Sequence, residues 1–214
     1  MSTYKPKEEP TDYVMISEAE FTFLYCALKF YPDKLASFRQ TCKVHKRLLK
    51  MRPIICCAGT FMNYWSRWLD YWLQKLKPLI PSYLKSGDQL LEVVISLHIP
   101  SWAYLVVSYA TAMYNNIDTK HTITVITWWL KDLCDRELLP EGFPLDVVLS
   151  AMVTITRNNI FEFGDLYFLQ LLGTAMCTSA AVMWETLYYA YHEIHTLLPK
   201  HGTNLLYYNL TYHH

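Results

Sequence analysis

Residues suited to chemistry gather in two places. From Arg39 to Arg52 the chain carries Arg39, Lys43, Lys46, Arg47, Lys50 and Arg52, with His45 among them and no acid. A run of positive charge without compensating carboxylates is suited to phosphate groups, and an ordinary solvated face is the plainer alternative. Towards the end come His192, His195, His201, His213 and His214. Imidazole nitrogens ligate zinc, but His192-Glu193-Ile194-His195 places its histidines three apart rather than four and is not a metalloprotease helix. No cysteine pair stands nearby, so no metal centre is expected. A glycine-rich phosphate loop, a GxSxG elbow and a CxxC pair are all missing from the sequence.

Composition narrows the class. The 214 residues are 52% hydrophobic and include 17 Tyr and 7 Trp, enough for one sizeable core or two small subdomains sharing one. Nineteen basic and nineteen acidic residues cancel, so net charge names no partner. Cys26, Cys42, Cys56, Cys57, Cys134 and Cys177 are scattered through apolar stretches, as reduced thiols of an intracellular protein would be. The polar N-terminus has no apolar signal core. The stretch nearest to a membrane span, 171–191, is interrupted by Glu185 and several hydroxyls, so no membrane partner is expected. The Asn209-Leu210-Thr211 sequon is read as incidental.

Hydrophobic periodicity supplies the elements that must position these groups. A capping box at Ser17 and Glu20 opens a helix that Pro32 ends. Arg52-Pro53-Ile54-Ile55 leads into an apolar strand. Phe61 to Lys77 is an aromatic helix with Phe61, Trp65, Trp68, Leu69, Trp72 and Leu76 on one stripe, read as core rather than as a platform for bases. Asp88 to Leu97 is a short helix, and Tyr104 to Tyr109 a buried strand. Asp118 or Thr119 caps a helix with Ile123, Ile126, Leu130 and Leu133 on one face, and Pro144 opens the next, with Leu145, Val148, Leu149, Met152 and Ile155 facing inward. Residues 160–170 form a hairpin turning at Gly164-Asp165. Thr178 or Ser179 caps a helix with Ala180, Met183, Trp184, Leu187 and Tyr191 inward, and Leu205 to Tyr212 is a final strand. This order suggests an α+β fold, an antiparallel sheet backed by helices.

Within that order, colinear segments resemble the fingers and palm of reverse transcriptases, particularly the Penelope-like group. Lys43-Val44-His45-Lys46 followed by Arg52-Pro53-Ile54-Ile55 is similar to the fingers motif. Met113-Tyr114-Asn115-Asn116-Ile117-Asp118 resembles the end of polymerase motif A. Gly173-Thr174-Ala175-Met176-Cys177-Thr178 resembles motif B, and Leu206 to His214 resembles the approach to motif C. The resemblance implies a lead-in and N-terminal helix over 1–38, a fingers-like region over 39–98 and a palm-like region over 99–214. The chain stops where motif C begins, so a fragment without a thumb is expected.

The resemblance also implies a chemistry that the residues do not support. Nucleotidyl transfer in the family uses two divalent ions, Mg²⁺ in active relatives, held about 4 Å apart by aspartates. The motif A aspartate falls on Tyr109, the motif C pair on His213 and His214, and the motif B glycine on Cys177. A protonated phenol and neutral imidazoles are poor ligands for Mg²⁺, so an inactive polymerase without a metal cofactor is expected. Lys43, His45, Lys46 and Arg52 would approach an incoming triphosphate or a template. Tyr114 would lie beneath the incoming sugar, with a core tyrosine as the alternative, and Gly173, Met176 and Cys177 would flank the nucleotide. An RNA or DNA template-primer is the implied partner, and no specific protein partner is. Two rival readings stand beside this one: a non-catalytic module that binds RNA or protein, and a small helical membrane protein with 171–191 and 101–114 inserted. The polymerase reading requires the side chains of 109, 213 and 214 to cluster at one end of the sheet.

Overall fold

The computed structural model describes Ala19, Thr22 and residues 35–42, 51–107, 114, 116–174 and 178–209. Of the helix expected after Ser17, only Ala19 and Thr22 fall within these residues, and both are helical. The strands are β1 (Ala36–Cys42), β2 (Met51–Cys56), β3 (Ile160–Phe163) and β4 (Leu166–Leu169). The principal helices are α1 (Phe61–Gln74), α2 (Gly87–Ser96), α3 (Thr119–Asp135), α4 (Leu145–Arg157) and α5 (Ala181–His192). A π-helical turn at Glu193–Leu197 joins α5 to the short α6 (Leu198–His201).

The α+β class is as expected, but the sheet is mixed rather than antiparallel. Its order is β2-β1-β3-β4. β1 pairs antiparallel with β2 and parallel with β3, and β3 pairs antiparallel with β4. The parallel contact arises because β1, unannounced by any apolar alternation, takes the inner position beside a hairpin far along the chain. Phe38 of β1 lies 5.9 Å from the ring of Phe161 and 5.1 Å from that of Phe163, which fixes this register. Pro53 has no N–H for a ladder and is accommodated because β2 is an edge strand. Gly164, at φ 61°, makes the tight turn between β3 and β4 where the sequence places it.

The core sits among the helices. Trp68, Leu69, Trp72, Leu73 and Leu76 from α1 and the turn after it meet Ile126, Trp129, Leu130 and Leu133 of α3. Val148, Met152 and Ile155 of α4 and Met183, Trp184 and Leu187 of α5 complete it. The helical stripes read from the sequence therefore face inward, with Phe61, Trp65, Ile123, Leu145, Leu149 and Tyr191 only partly buried at its margin. The sheet contributes a smaller cluster of Ala36, Cys57, Ile55 and Phe161.

Caps explain where the helices start. Thr60 accepts a hydrogen bond from the N–H of Asn63 to open α1, Ser86 does so for Gln89 in α2, and Asp118 does so for His121 in α3. The expected cap of α5 at Thr178 or Ser179 is not made by either side chain. The residue before α5 is Ala180, whose N–H donates to the buried hydroxyl of Ser66 at 2.9 Å, and the N–H of Ala181 donates to the carbonyl of Thr178. A distant element supplies what the local sequence does not.

Two expected strands are corrected. Tyr104, Leu105, Val106 and Val107 are 91%, 92%, 82% and 86% exposed and form no strand, and 108–109 lie outside the described residues. Apolar composition nominated this segment, but the chain turns at Pro100 to Ala103 and none of the sheet's strands pairs with 104–107. Leu205 to Asn209 likewise form no strand, and 210–212 lie outside the described residues. Tyr208 instead donates its hydroxyl to Glu193 at 2.9 Å, so side-chain anchoring to a helix replaces a ladder.

Replacing Ser66 by alanine should lower stability by about 1–2 kcal/mol, because the N–H of Ala180 loses its partner in a buried site. Urea denaturation checks this, and an unchanged midpoint would contradict the tertiary cap.

Candidate functional site

Two of the segments singled out by sequence, the one ending at Asp118 and the one beginning at Gly173, meet. Thr174 donates its N–H to the carbonyl of Tyr114 at 3.0 Å, and Gly173 donates to Ile117 at 2.8 Å. Asp118 and Leu172 form an antiparallel bridge alongside. The stretch ending at Asp118 and the stretch beginning at Leu172 are thus one junction, though more than one helix intervenes in sequence. Gly173 is buried at φ 81°, a backbone conformation that an L side chain enters only with strain.

Arg52 stands in β2 opposite Thr41 of β1, and Arg39 of β1 stands opposite Ile54. Both ends of the basic run are therefore in neighbouring strands, and Arg39 is exposed. Lys43, His45, Lys46, Tyr109, Met176, Cys177, His213 and His214 lie outside the described residues. Among the described residues no group of three or more His, Cys, Asp or Glu is arranged to hold a metal ion. None of the described helices is long and apolar enough to cross a membrane.

The junction has an acidic neighbour that the sequence reading overlooked. Glu185, 1% exposed on α5, receives a side-chain hydrogen bond from Tyr114. Its Oε1 has no hydrogen-bond partner among the described residues, nor do Thr174 Oγ1 and Trp184 Nε1 nearby. Burial pushes the Glu185 carboxyl up to about 7, and the hydrogen bond from Tyr114 opposes this only in part. Burial, and then the carboxylate of Glu185, raise the neighbouring Tyr189. The clue was an acid in the middle of an apolar stretch, which had counted only as an interruption of a membrane span. Thr174 and Trp184 also line a small depression with Thr156, Asn159, Gly173 and Thr178. Orphaned polar atoms around a depression are suited to a bound water or small polar group.

A second buried carboxylate, Glu193, lies at the π-helical turn. It accepts hydrogen bonds from the hydroxyls of Ser82 and Tyr208. Burial raises its carboxyl above the ordinary range while both hydrogen bonds oppose the shift. This acid ties three parts of the chain and is structural in its geometry.

No family model, no curated protein and no solved structure matches this chain.

The raised carboxyl of Glu185 has a consequence for stability. A folded-state value above the unfolded value favours the protonated form in the fold. The associated stability is complete below the ordinary 4.5 and is lost as pH rises towards 7. Glu185→Gln keeps a neutral acceptor for Tyr114 at every pH. The variant should match the parent near pH 4 and exceed it by up to about 3 kcal/mol near pH 8. Urea denaturation across that interval checks it, and a constant difference between the two proteins would contradict the assignment.

Proposed function

We propose that this chain derives from the fingers and palm of a reverse transcriptase and is a non-catalytic binder of RNA. The observation that carries the reading is the junction of 114–118 with 172–174. These are the segments whose residues resemble the end of motif A and the start of motif B. A polymerase palm brings motif A beside motif B, because motif A supplies a metal ligand, which falls here at position 109 just ahead of the junction, and motif B borders the nucleotide. The hydrogen bonds from Thr174 to Tyr114 and from Gly173 to Ile117 are consistent with that arrangement.

Catalysis is absent in this reading for a reason of ligand chemistry. Mg²⁺ takes hard, charged oxygen donors. Tyr109, His213 and His214 offer a phenol and imidazoles where the resemblance places aspartates, so the residues present do not fit the two-metal centre. The buried Glu185 does not substitute for them, because it lies within the helical core, accepts from Tyr114 and resists ionisation through burial. What remains available to nucleic acid is the basic run. Arg39 and Arg52 lie on paired strands, and Lys43 and Lys46 fall between them in sequence. Phosphate contact through such residues is independent of sequence and strongly dependent on salt.

The expected result is salt-dependent binding of single-stranded RNA that weakens when Lys43, Lys46 and Arg52 are together replaced by alanine. The slope of log affinity against log salt should fall by about 2 for the three lost contacts. Primer extension with Mg²⁺ should be undetectable. An unchanged salt slope would remove the RNA-binding assignment, and extension by the native chain would overturn the account of the metal positions.

A further inference from the structure

His121 and His192 are 71 residues apart in sequence, yet their Nε2 atoms stand 3.3 Å apart. His121 lies in the first turn of α3 and His192 is the last residue of α5. Their ring centroids are 5.2 Å apart with the planes inclined at 45°. Tyr188 packs edge-on against both, at 5.5 Å from His121 and 4.7 Å from His192. Tyr191 adds a second wall 5.5 Å from His192. Both imidazoles are half-buried, so packing orients them while solvent still reaches them.

Two neutral imidazoles at this spacing can share one proton. The same spacing is also what a shared tetrahedral ion imposes. Bonds of about 2.0–2.1 Å at the tetrahedral angle put two ligating nitrogens about 3.3 Å apart and their ring centroids about 5.2 Å apart.

We propose that His121 and His192 form a two-histidine site for a divalent transition ion, zinc by its ligand preference, which bridges the start of α3 to the end of α5. Imidazole donors select zinc over magnesium. Among the described residues, His121 and His192 are the two ligands that the geometry brings together. The two ligands meet only in the folded chain, so zinc stabilises the fold by mass action. The site is independent of the polymerase reading and stands or falls without it.

The test is titration of the metal-free full chain with zinc chloride, followed by calorimetry and thermal unfolding. One ion should bind per chain and raise the melting temperature. Both effects should vanish in His121→Gln and in His192→Gln, and both should persist in His195→Gln. Cobalt in place of zinc should give the visible absorption of a tetrahedral site. Nitrogen NMR of the native chain supplies a readout that needs no variant to fold, because zinc should shift the Nε2 resonances of His121 and His192 together. Zinc binding that survives both glutamine variants would overturn the proposal, as would shifts confined to other histidines or an unaltered melting temperature at millimolar zinc.

Discussion

The burial of α5 is the constraint on which the rest of the structure depends. Ala181, Met183, Trp184, Glu185, Thr186, Leu187 and Ala190 are all buried, so this helix is enclosed on nearly every side. Its first free N–H groups cannot be left to water, and Ser66 of α1 takes one of them. Trp129 of α3 donates its indole N–H to the carbonyl of Leu187 at 2.9 Å, anchoring a third helix to the same backbone. Enclosure of α5 is therefore accompanied by polar contacts to α1 and α3, with dispersion and apolar burial supplying most of the energy.

The same enclosure shapes the chemistry. A carboxylate on such a helix must lose its charge or find partners. Glu185 does both in part, by accepting from Tyr114 and by resisting ionisation. Because Tyr114 is hydrogen-bonded to α5 by its side chain and to Thr174 by its carbonyl, the junction of 114–118 with 172–174 is held against the helical core. At the far end Glu193 receives Ser82 and Tyr208, which draws the 205–209 segment onto the helices. The candidate site is thus positioned by buried polar groups on one helix and its continuation.

Much of this was legible from periodicity. The apolar stripes of α1, α3 and α4 are regular, and most of the residues read from them are buried, whereas the inward Leu73, Val125 and Trp129 and the near-complete enclosure of α5 were not read. Gly164-Asp165 announced a turn because glycine alone enters that backbone region freely. Short elements were harder. Tyr104 to Val107 has the composition of a strand without a partner, whereas Ala36 to Cys42 has neither the composition nor the alternation and is a strand because β2 and β3 flank it. Pairing is a long-range property, so local composition misled at both places. The contacts of greatest interest, Ser66 with Ala180 and His121 with His192, join residues 114 and 71 positions apart, and no local pattern can register them.

The proposed polymerase ancestry requires the side chains of Tyr109, His213 and His214, all outside the described residues, to share one pocket. Nuclear Overhauser contacts between the ring of Tyr109 and the rings of His213 and His214 in the isotope-labelled chain test it most directly. The account predicts cross-peaks from Tyr109 to both histidines. Assigned resonances for all three residues, with Tyr109 showing contacts only to other parts of the chain, would contradict the polymerase ancestry.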